Sequence, residues 1–230
     1  HIQTLWDGEE EARWVADEVE TLQRKGIPLS EIAIMVRAGF QTRQFEERFI
    51  YLGIPYRVLV GARFYERQEI RDAMAYLRLI ASSDDDLAFE RIVNLPKRGV
   101  GPAAIQQIRS YARAGNLSLF DAALRLSETD ELKPKLRRTM QDFTQNILRW
   151  RGLLQNTAHS EVAEVALDES GYTGMWQNSK APDAPARLDN IKELIGAMAE
   201  FETLPAFLEH VSLVLEVTDN STLDQVSLMT

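Results

Sequence analysis

The chain has 230 residues and a net charge of −9; 45% of its residues are hydrophobic and 27% are charged. These proportions are ordinary for a globular protein, and the absence of cysteine excludes disulfides and thiolate metal sites. No apolar run approaches the length needed to span a bilayer, and the first residues lack the features of a signal peptide, so we expect a cytoplasmic protein. The acidic balance argues against a protein that coats nucleic acid through its overall charge, so any such contact must come from a local patch.

The first 60 residues are predicted to alternate between strands and helices. Strands are predicted at 1–6, 32–36 and 56–60, and helices at 9–25 and 42–52. This alternation indicates an α/β layer with a parallel sheet, and the apolar run at 32–36 fits a strand that is buried on both faces. In such sheets function lies at the carboxyl ends of the strands, where Arg37 and Arg63 follow two of them.

The rest of the chain is predicted to be helical until its last residues. A helix is expected to run to about residue 80, and the polar segment 81–86 breaks it and marks the main domain boundary. Between 87 and 217 the pattern predicts helices at 87–94, 102–114, 118–126, 131–154, 160–170, 187–201 and 204–215, with a turn at 171–174. A polar connection at 217–223 precedes a strand at 224–230. A lone strand after so many helices suggests that the chain rejoins the first sheet and that the helical part is an insertion.

The segment 94–105 is predicted to be a helix end, a tight Gly-rich turn and the start of a new helix. Gly99 and Gly101 can take the positive φ that a tight hairpin needs, and Pro102 suits the first position of a helix. An apolar residue, a short gap and Gly-Val-Gly before a helix resemble a helix-hairpin-helix, which grips a nucleic-acid backbone without reading bases.

The same turn is a candidate anion site. The backbone N–H groups of Gly99, Val100 and Gly101 are expected to point one way, with Lys97 and Arg98 beside them. Three further arginines could widen this basic face: Arg91, Arg109 and Arg113. The competing interpretation is that Gly-Val-Gly merely joins two packed helices.

Catalytic and metal-binding patterns do not stand out. The chain contains no Gly-x-x-x-x-Gly-Lys-Ser/Thr phosphate loop, and His159 and His210 have no partner ligands nearby in sequence. We therefore predict no catalytic residue, no cofactor-binding residue and no metal ligand in this chain.

Five segments, taken in order, resemble motifs of the UvrD/PcrA/Rep family of superfamily 1 DNA helicases, which are ATP-dependent and move 3′ to 5′. They are spread along essentially the whole chain: Val36–Arg43, RFYERQEIRDAMAYLRLI at 63–80, Phe89–Gly101 including RGVG, RLDNIKEL at 187–194 and VSLMT at 226–230. Two positions depart from the family pattern, namely Val60-Gly61 in place of a double glycine and Gly39 in place of an asparagine.

The resemblance implies an architecture. Residues 1–80 would be part of the second RecA-like motor domain (2A), residues 81–223 the mostly helical inserted domain (2B) with its helix-hairpin-helix-like turn, and residues 224–230 the returning strand of 2A. The longer parent would be a 3′-to-5′ ATP-dependent DNA helicase, in repair or replication, that uses ATP and Mg²⁺. Because the family's nucleotide-binding motifs lie elsewhere in the parent, we expect the fragment alone to be inactive.

The resemblance also implies DNA as the partner, at a junction of duplex and single strand, with repair or replication proteins on the inserted domain. Lys97, Arg98, Gly99, Val100 and Gly101 would touch duplex DNA. Arg37, Arg63 and Arg67 would lie near the single strand and the domain hinge, although Arg67 could instead pair with Glu66, Glu69 or Asp72. Two alternatives remain open: a free-standing helix-hairpin-helix DNA-binding protein, and a helical protein-interaction domain.

Overall fold

The computed structural model describes residues 2–59, 62–216 and 224–230. The chain divides into two compact units, one formed by His1–Ile70 with Glu209–Thr230 and the other by Arg71–Leu208. The predicted boundaries after residues 80 and 223, and the assignment to motor and inserted domains, stay predictions. The predicted connection at 217–223 and the family departure at Val60-Gly61 lie outside the described residues.

The first unit contains a small sheet in which all strands are parallel. Its strands are β1 (Ala33–Met35), β2 (Tyr56–Val58) and β3 (Val226–Met229), and β3 lies between the other two. Ile34 is in register with Leu228, and Tyr56 with Val226. The prediction that the last residues rejoin the first sheet is therefore confirmed, and the last strand is the central one.

Two sequence-based expectations about the strands are wrong. Residues 2–5 form no strand, and Ile2 and Trp6 are almost fully exposed, because nothing in the described chain pairs with this segment. In β1 the side chains alternate instead of being buried on both faces. Ile34 packs on the core whereas Met35 is 81% exposed, since β1 is an outer strand with one face against the core.

Two helices pack on each other in this unit. Helix α1 (Gly8–Arg24) begins at Asp7, whose carboxylate accepts a hydrogen bond from the Glu10 N–H, and α2 (Thr42–Leu52) ends at Gly53 in the left-handed region. Short 3-10 helices lie at Leu29–Glu31, Gly39–Gln41 and Phe64–Glu66. The buried core comprises Ala12, Ala16, Val19, Leu29, Phe45, Phe49, Ile54, Tyr56, Val226 and Leu228.

The second unit is helical, and residues 87–216 contain no strand, as the sequence predicts. Two helices cross the division between the units, α3 (Gln68–Ala81) and α11 (Leu204–Glu216). Between them lie α4 (Asp86–Ile92), α5 (Pro102–Gly115), α6 (Leu119–Ser127), α7 (Pro134–Leu153), α8 (His159–Glu169), α9 (Tyr172–Gln177) and α10 (Ala184–Met198).

Helix α9 stands where the sequence predicts only a turn. Gly171 does end the preceding helix, with a φ of +80° that favours glycine. The chain then enters a new helix because the Tyr172 ring is fully buried and meets Trp176 edge-on, at 6.4 Å between ring centroids. Burial of the Tyr172 ring and its contact with the half-buried Trp176 ring outweigh the turn-forming tendency of Gly171 and Gly174.

The second core is rich in aromatic side chains. Tyr76 on α3 contacts Trp150 and Tyr172, with ring centroids 6.4 and 6.0 Å away, and Phe89 meets Phe143 at 5.9 Å. These contacts fix α3, α4, α7 and α9 around one another and hold the loop that follows α4. Among the described residues, no helix has both the length and the apolar character needed to cross a bilayer.

Candidate nucleic-acid interface

Residues 93–101 connect α4 to α5 and are exposed at their tip; this connection is called the hairpin below, after the turn predicted there. Lys97, Gly99 and Gly101 are exposed, whereas the Val100 side chain is buried and anchors the loop. Gly99 has a φ of +81°, as expected. The expectation for Gly101 is wrong, because it is extended with a φ of −89° as the residue that caps α5.

Asn94 organises the turn of this hairpin. Its side-chain oxygen accepts hydrogen bonds from the backbone N–H groups of Arg98, at 2.9 Å, and Val100, at 3.1 Å. The Val100 N–H, which the sequence analysis assigned to a phosphate, is therefore already bound within the chain. Asn94 was not among the site residues predicted from the sequence, although an amide side chain just before a Gly-rich turn often organises the turn.

Arg98 directs its guanidinium group towards the interior of the second unit. Its Nη1 atom donates to the carbonyl oxygens of Ile92 and Leu95, both at 2.8 Å. Its Nη2 atom donates to the Tyr76 hydroxyl at 2.7 Å and to the Ser170 carbonyl at 3.2 Å. Most donors of this side chain are therefore used inside the protein, and Lys97 is the exposed cation of the hairpin.

The backbone groups at the start of α5 remain exposed. The hydrogen bonds of the described residues include none donated by the N–H of Gly99 or Gly101, while the Gly101 carbonyl accepts from Ala104 and Ile105. Pro102 occupies the first turn of α5, where its missing N–H costs nothing. N–H groups of exposed residues without an acceptor in the described chain, together with the positive end of a 14-residue helix, favour a negatively charged ligand.

The wider basic face is smaller than the sequence predicts. Arg91 donates through Nε to the Asp72 carboxylate at 2.6 Å, and Arg109 pairs with Glu90, also at 2.6 Å. Arg113 near the end of α5 is exposed. Two of the three added charges are thus neutralised by internal carboxylates.

The carboxyl ends of the parallel strands in the first unit carry the other predicted residues. Arg37 directly follows this edge and is exposed, and the Gln41 side-chain oxygen accepts hydrogen bonds from the N–H groups of Arg37 and Ala38 at 3.1 and 3.0 Å. Arg63, beyond β2, is partly buried, with its guanidinium 5.3 Å from the centre of the Tyr56 ring. The two arginines therefore lie in different settings, one in solvent and one against an aromatic ring.

A buried carboxylate, not anticipated from the sequence, holds the segment around Arg63. Glu46 accepts hydrogen bonds from the Thr42 hydroxyl at 2.6 Å, from the Phe64 N–H at 3.2 Å and from the Tyr56 hydroxyl at 3.4 Å. Burial raises the pKa of Glu46, and these hydrogen bonds together with the nearby charge of Arg67 oppose the rise. Its position within the α2 helix gives no sequence signal of burial.

Arg67 connects the start of α2 to the segment that follows β2. Its Nη2 atom donates to the Thr42 hydroxyl at 3.1 Å and its Nε atom to the Ala62 carbonyl at 3.2 Å. A Cβ atom at Gly39 would come within 3.3 Å of its guanidinium, so the glycine that departs from the family pattern leaves room for this side chain. Burial lowers the pKa of Arg67, while Glu46 and Glu69 act in the opposite direction.

In 2–59, 62–216 and 224–230, no cluster of three or more His, Asp or Glu side chains could hold a metal ion. The nucleotide and Mg²⁺ sites expected of a longer parent stay predictions.

Comparison with known proteins gives consistent similarities along the whole chain. The family model described as "UvrD-like helicase C-terminal domain" matches residues 1–230. A "Probable DNA helicase II homolog" of Rickettsia conorii is 44% identical over 216 residues, covering 94% of this chain and 33% of the relative. "DNA helicase II" of Rickettsia typhi is 42% identical, covering 94% of this chain and 35% of the relative. "ATP-dependent DNA helicase PcrA" of Staphylococcus epidermidis is 35% identical, covering 96% and 31%.

Proposed function

The chain belongs to the UvrD-like helicase C-terminal domain family, and we propose that it serves as part of a 3′-to-5′ ATP-dependent DNA helicase of DNA repair or replication. It spans about a third of the length of the curated relatives it matches. The remaining length of such a parent would supply ATP and Mg²⁺ binding. Within the parent, this piece contributes half of one motor domain and an inserted helical domain that meets duplex DNA ahead of the motor.

The exposed tip of the 93–101 hairpin is the observation that carries the proposed DNA contact. Gly99 and Gly101 present N–H groups at the start of α5, without a side chain to hinder a phosphate, and Lys97 adds a positive charge. Such contacts position a duplex and read no sequence. The net charge of −9 makes a small local contact more suitable than a broad basic surface.

The edge of the small sheet is the second part of the proposal. We expect Arg37 and Arg63 to face the single strand or the domain hinge in the complete motor, because both follow carboxyl ends of parallel strands. The Glu46 network supports this role by fixing the backbone at Phe64, next to Arg63.

The test is fluorescence anisotropy of the chain with a labelled junction of duplex and single-stranded DNA at several salt concentrations. Lys97→Ala is expected to weaken binding roughly fivefold at low salt, the equivalent of about 1 kcal/mol. It should also lower the slope of log affinity against log salt by about 0.9, as expected for one lost phosphate contact. Lys192→Ala on α10 removes the same charge from an exposed helix face and serves as the matched control.

Two results would contradict the proposal. One is binding by the unaltered chain that Lys97→Ala and Lys192→Ala weaken equally, because the hairpin would then have no special part in it. The other is a complete absence of junction binding at low salt, which would favour a helical protein-interaction domain. We also expect no ATP turnover by the chain alone.

A further inference from the structure

The guanidinium of Arg98 and the hydroxyl of Tyr76 lie at the base of the hairpin and bind the same carbonyl group. The Leu95 carbonyl accepts from Arg98 Nη1 at 2.8 Å and also from the Tyr76 hydroxyl. The Tyr76 oxygen in turn accepts from Arg98 Nη2 at 2.7 Å. These three groups form a closed triangle of hydrogen bonds that fixes the backbone two residues before Lys97.

Tyr76 is suited to this position because its side chain is shielded from solvent and packed against two aromatic rings. Its side chain is fully buried on α3, between the rings of Trp150 and Tyr172. Burial raises the pKa of its hydroxyl, which therefore keeps the proton that it donates to Leu95. One hydroxyl can donate once and still accept from Arg98, so every bond of the triangle is satisfied.

Arg98 also ties the hairpin to the ends of two helices. The carbonyl of Ile92, the last residue of α4, and the carbonyl of Ser170, which follows α8, both accept from its guanidinium. The ring of Phe143 lies 5.4 Å below the guanidinium carbon. A cation stabilises the carbonyl end of a helix. The planar guanidinium group has five donors and can bind four acceptors at once, whereas a lysine ammonium has only three donors.

We propose that Arg98 and Tyr76 form a positioning clamp that holds residues 95–101 in the conformation that binds duplex DNA, and that Arg98 acts through this clamp instead of through a phosphate contact. The proposal rests on the DNA-binding function proposed above. Its consequence is that DNA affinity depends on Tyr76, a fully buried side chain that DNA cannot touch. Lys97 remains the charged contact.

The clamp is tested with Tyr76→Phe and Arg98→Lys in the 230-residue chain. Hydrogen exchange of the backbone amides in 93–101 reports the hairpin conformation, and anisotropy with the junction across a salt series reports binding. Tyr76→Phe removes two of the three hydrogen bonds of the triangle, so it is expected to speed exchange in 93–101 by roughly fivefold or more and to weaken binding by a similar factor. The salt slope should not change, because no phosphate contact is lost.

Arg98→Lys separates a clamp from a charge contact. A lysine keeps the positive charge but cannot bind four acceptors, so it should behave as Tyr76→Phe does. Lys97→Ala should give the opposite pattern, with a lower salt slope and unchanged exchange in 93–101. Tyr51→Phe removes a hydroxyl from the exposed face of α2 and should leave exchange and binding unchanged.

Near-normal exchange and binding in Arg98→Lys would overturn the clamp, as would Tyr76→Phe with exchange unchanged in 93–101. Faster exchange spread over the whole second unit would also overturn it, because Tyr76 would then serve only general stability. If the unaltered chain does not bind the junction, the proposed function fails, and hydrogen exchange in 93–101 still supports or overturns the clamp by itself.

Discussion

The side chain of Asn94 offers a sharp test of how the hairpin presents its backbone to DNA. Its oxygen accepts two hydrogen bonds, from the N–H groups of Arg98 and Val100. Asn94→Ala removes this acceptor. Asn94→Asp keeps an oxygen in the same place and adds a negative charge close to the proposed phosphate. The two variants therefore separate the shape of the turn from its electrostatics.

The expected magnitudes follow from these two bonds. Each intramolecular hydrogen bond contributes a net of about 1 kcal/mol, and because Asn94 is exposed, water replaces part of what is lost. We therefore expect Asn94→Ala to reduce the free energy of DNA binding by about 1 kcal/mol, which corresponds to roughly fivefold weaker binding. For Asn94→Asp, two negative charges separated by about 8 Å in water repel each other by about 0.5 kcal/mol, which is the loss of binding free energy expected at low salt.

The assay is junction binding by anisotropy at about 50 and about 200 mM salt, a range in which phosphate contacts respond strongly. The loss of DNA affinity in Asn94→Asp should be smaller at the higher salt concentration, since the screening length then falls to about 8 Å or below. The deficit of Asn94→Ala should persist at both. Wild-type binding by Asn94→Ala would refute the reasoning that the turn must be organised, and equal deficits for both variants at both salt concentrations would refute the role of the acceptor oxygen.

Two further predictions concern backbone conformation and the buried carboxylate. Gly99→Ala should lower the free energy of urea unfolding by about 1–2 kcal/mol, because the φ of Gly99 is +81°. Gly101→Ala should change that free energy by less than about 0.5 kcal/mol, because Gly101 is extended. Gly101→Ala should still weaken DNA binding, since its methyl group would stand beside an exposed N–H group. Equal stability losses for the two alanine variants would contradict the assigned conformations. Glu46 has a pKa raised above 4.5 by burial, so the folded state holds its proton more tightly and this group makes stability fall as pH rises above 4.5. Glu46→Gln should remove that part of the pH dependence of the free energy of urea unfolding above pH 4.5, and a profile that the substitution leaves unchanged would contradict the raised pKa.

Most of the helices could be predicted from the sequence because they depend on local signals, and the return of the last strand could be inferred from its place after the helical stretch. Asp85 and Ser118 cap their helices through side-chain oxygens, and Gly53 and Gly171 end theirs in the left-handed region. In β3 the apolar residues Val226 and Leu228 alternate and are fully buried, and a lone strand of this kind after a long helical stretch indicates a return to the first sheet.

The errors arise where contacts distant in sequence decide the outcome. The exposure of Met35 depends on which face of β1 meets the core, and the run of apolar residues carries no information about that. Arg98 looks like a surface cation in sequence, and two of the acceptors that draw it inward, the Tyr76 hydroxyl on α3 and the Ser170 carbonyl after α8, are distant in sequence. Pairing of Arg109 with Glu90 is likewise invisible from their spacing of 19 residues.

We propose, above all, that the hairpin at 93–101 touches duplex DNA. The chain has no cysteine, so a single substitution can carry a photo-crosslinker at one known position. Ala103→Cys places the probe on the exposed first turn of α5, beside Gly101, and Lys192→Cys on α10 serves as the matched control. Crosslinking to the duplex arm of the junction from position 103 but not from position 192 is the predicted result. Crosslinks from position 192 alone, or none from position 103 under conditions where the junction is bound, would contradict the claim.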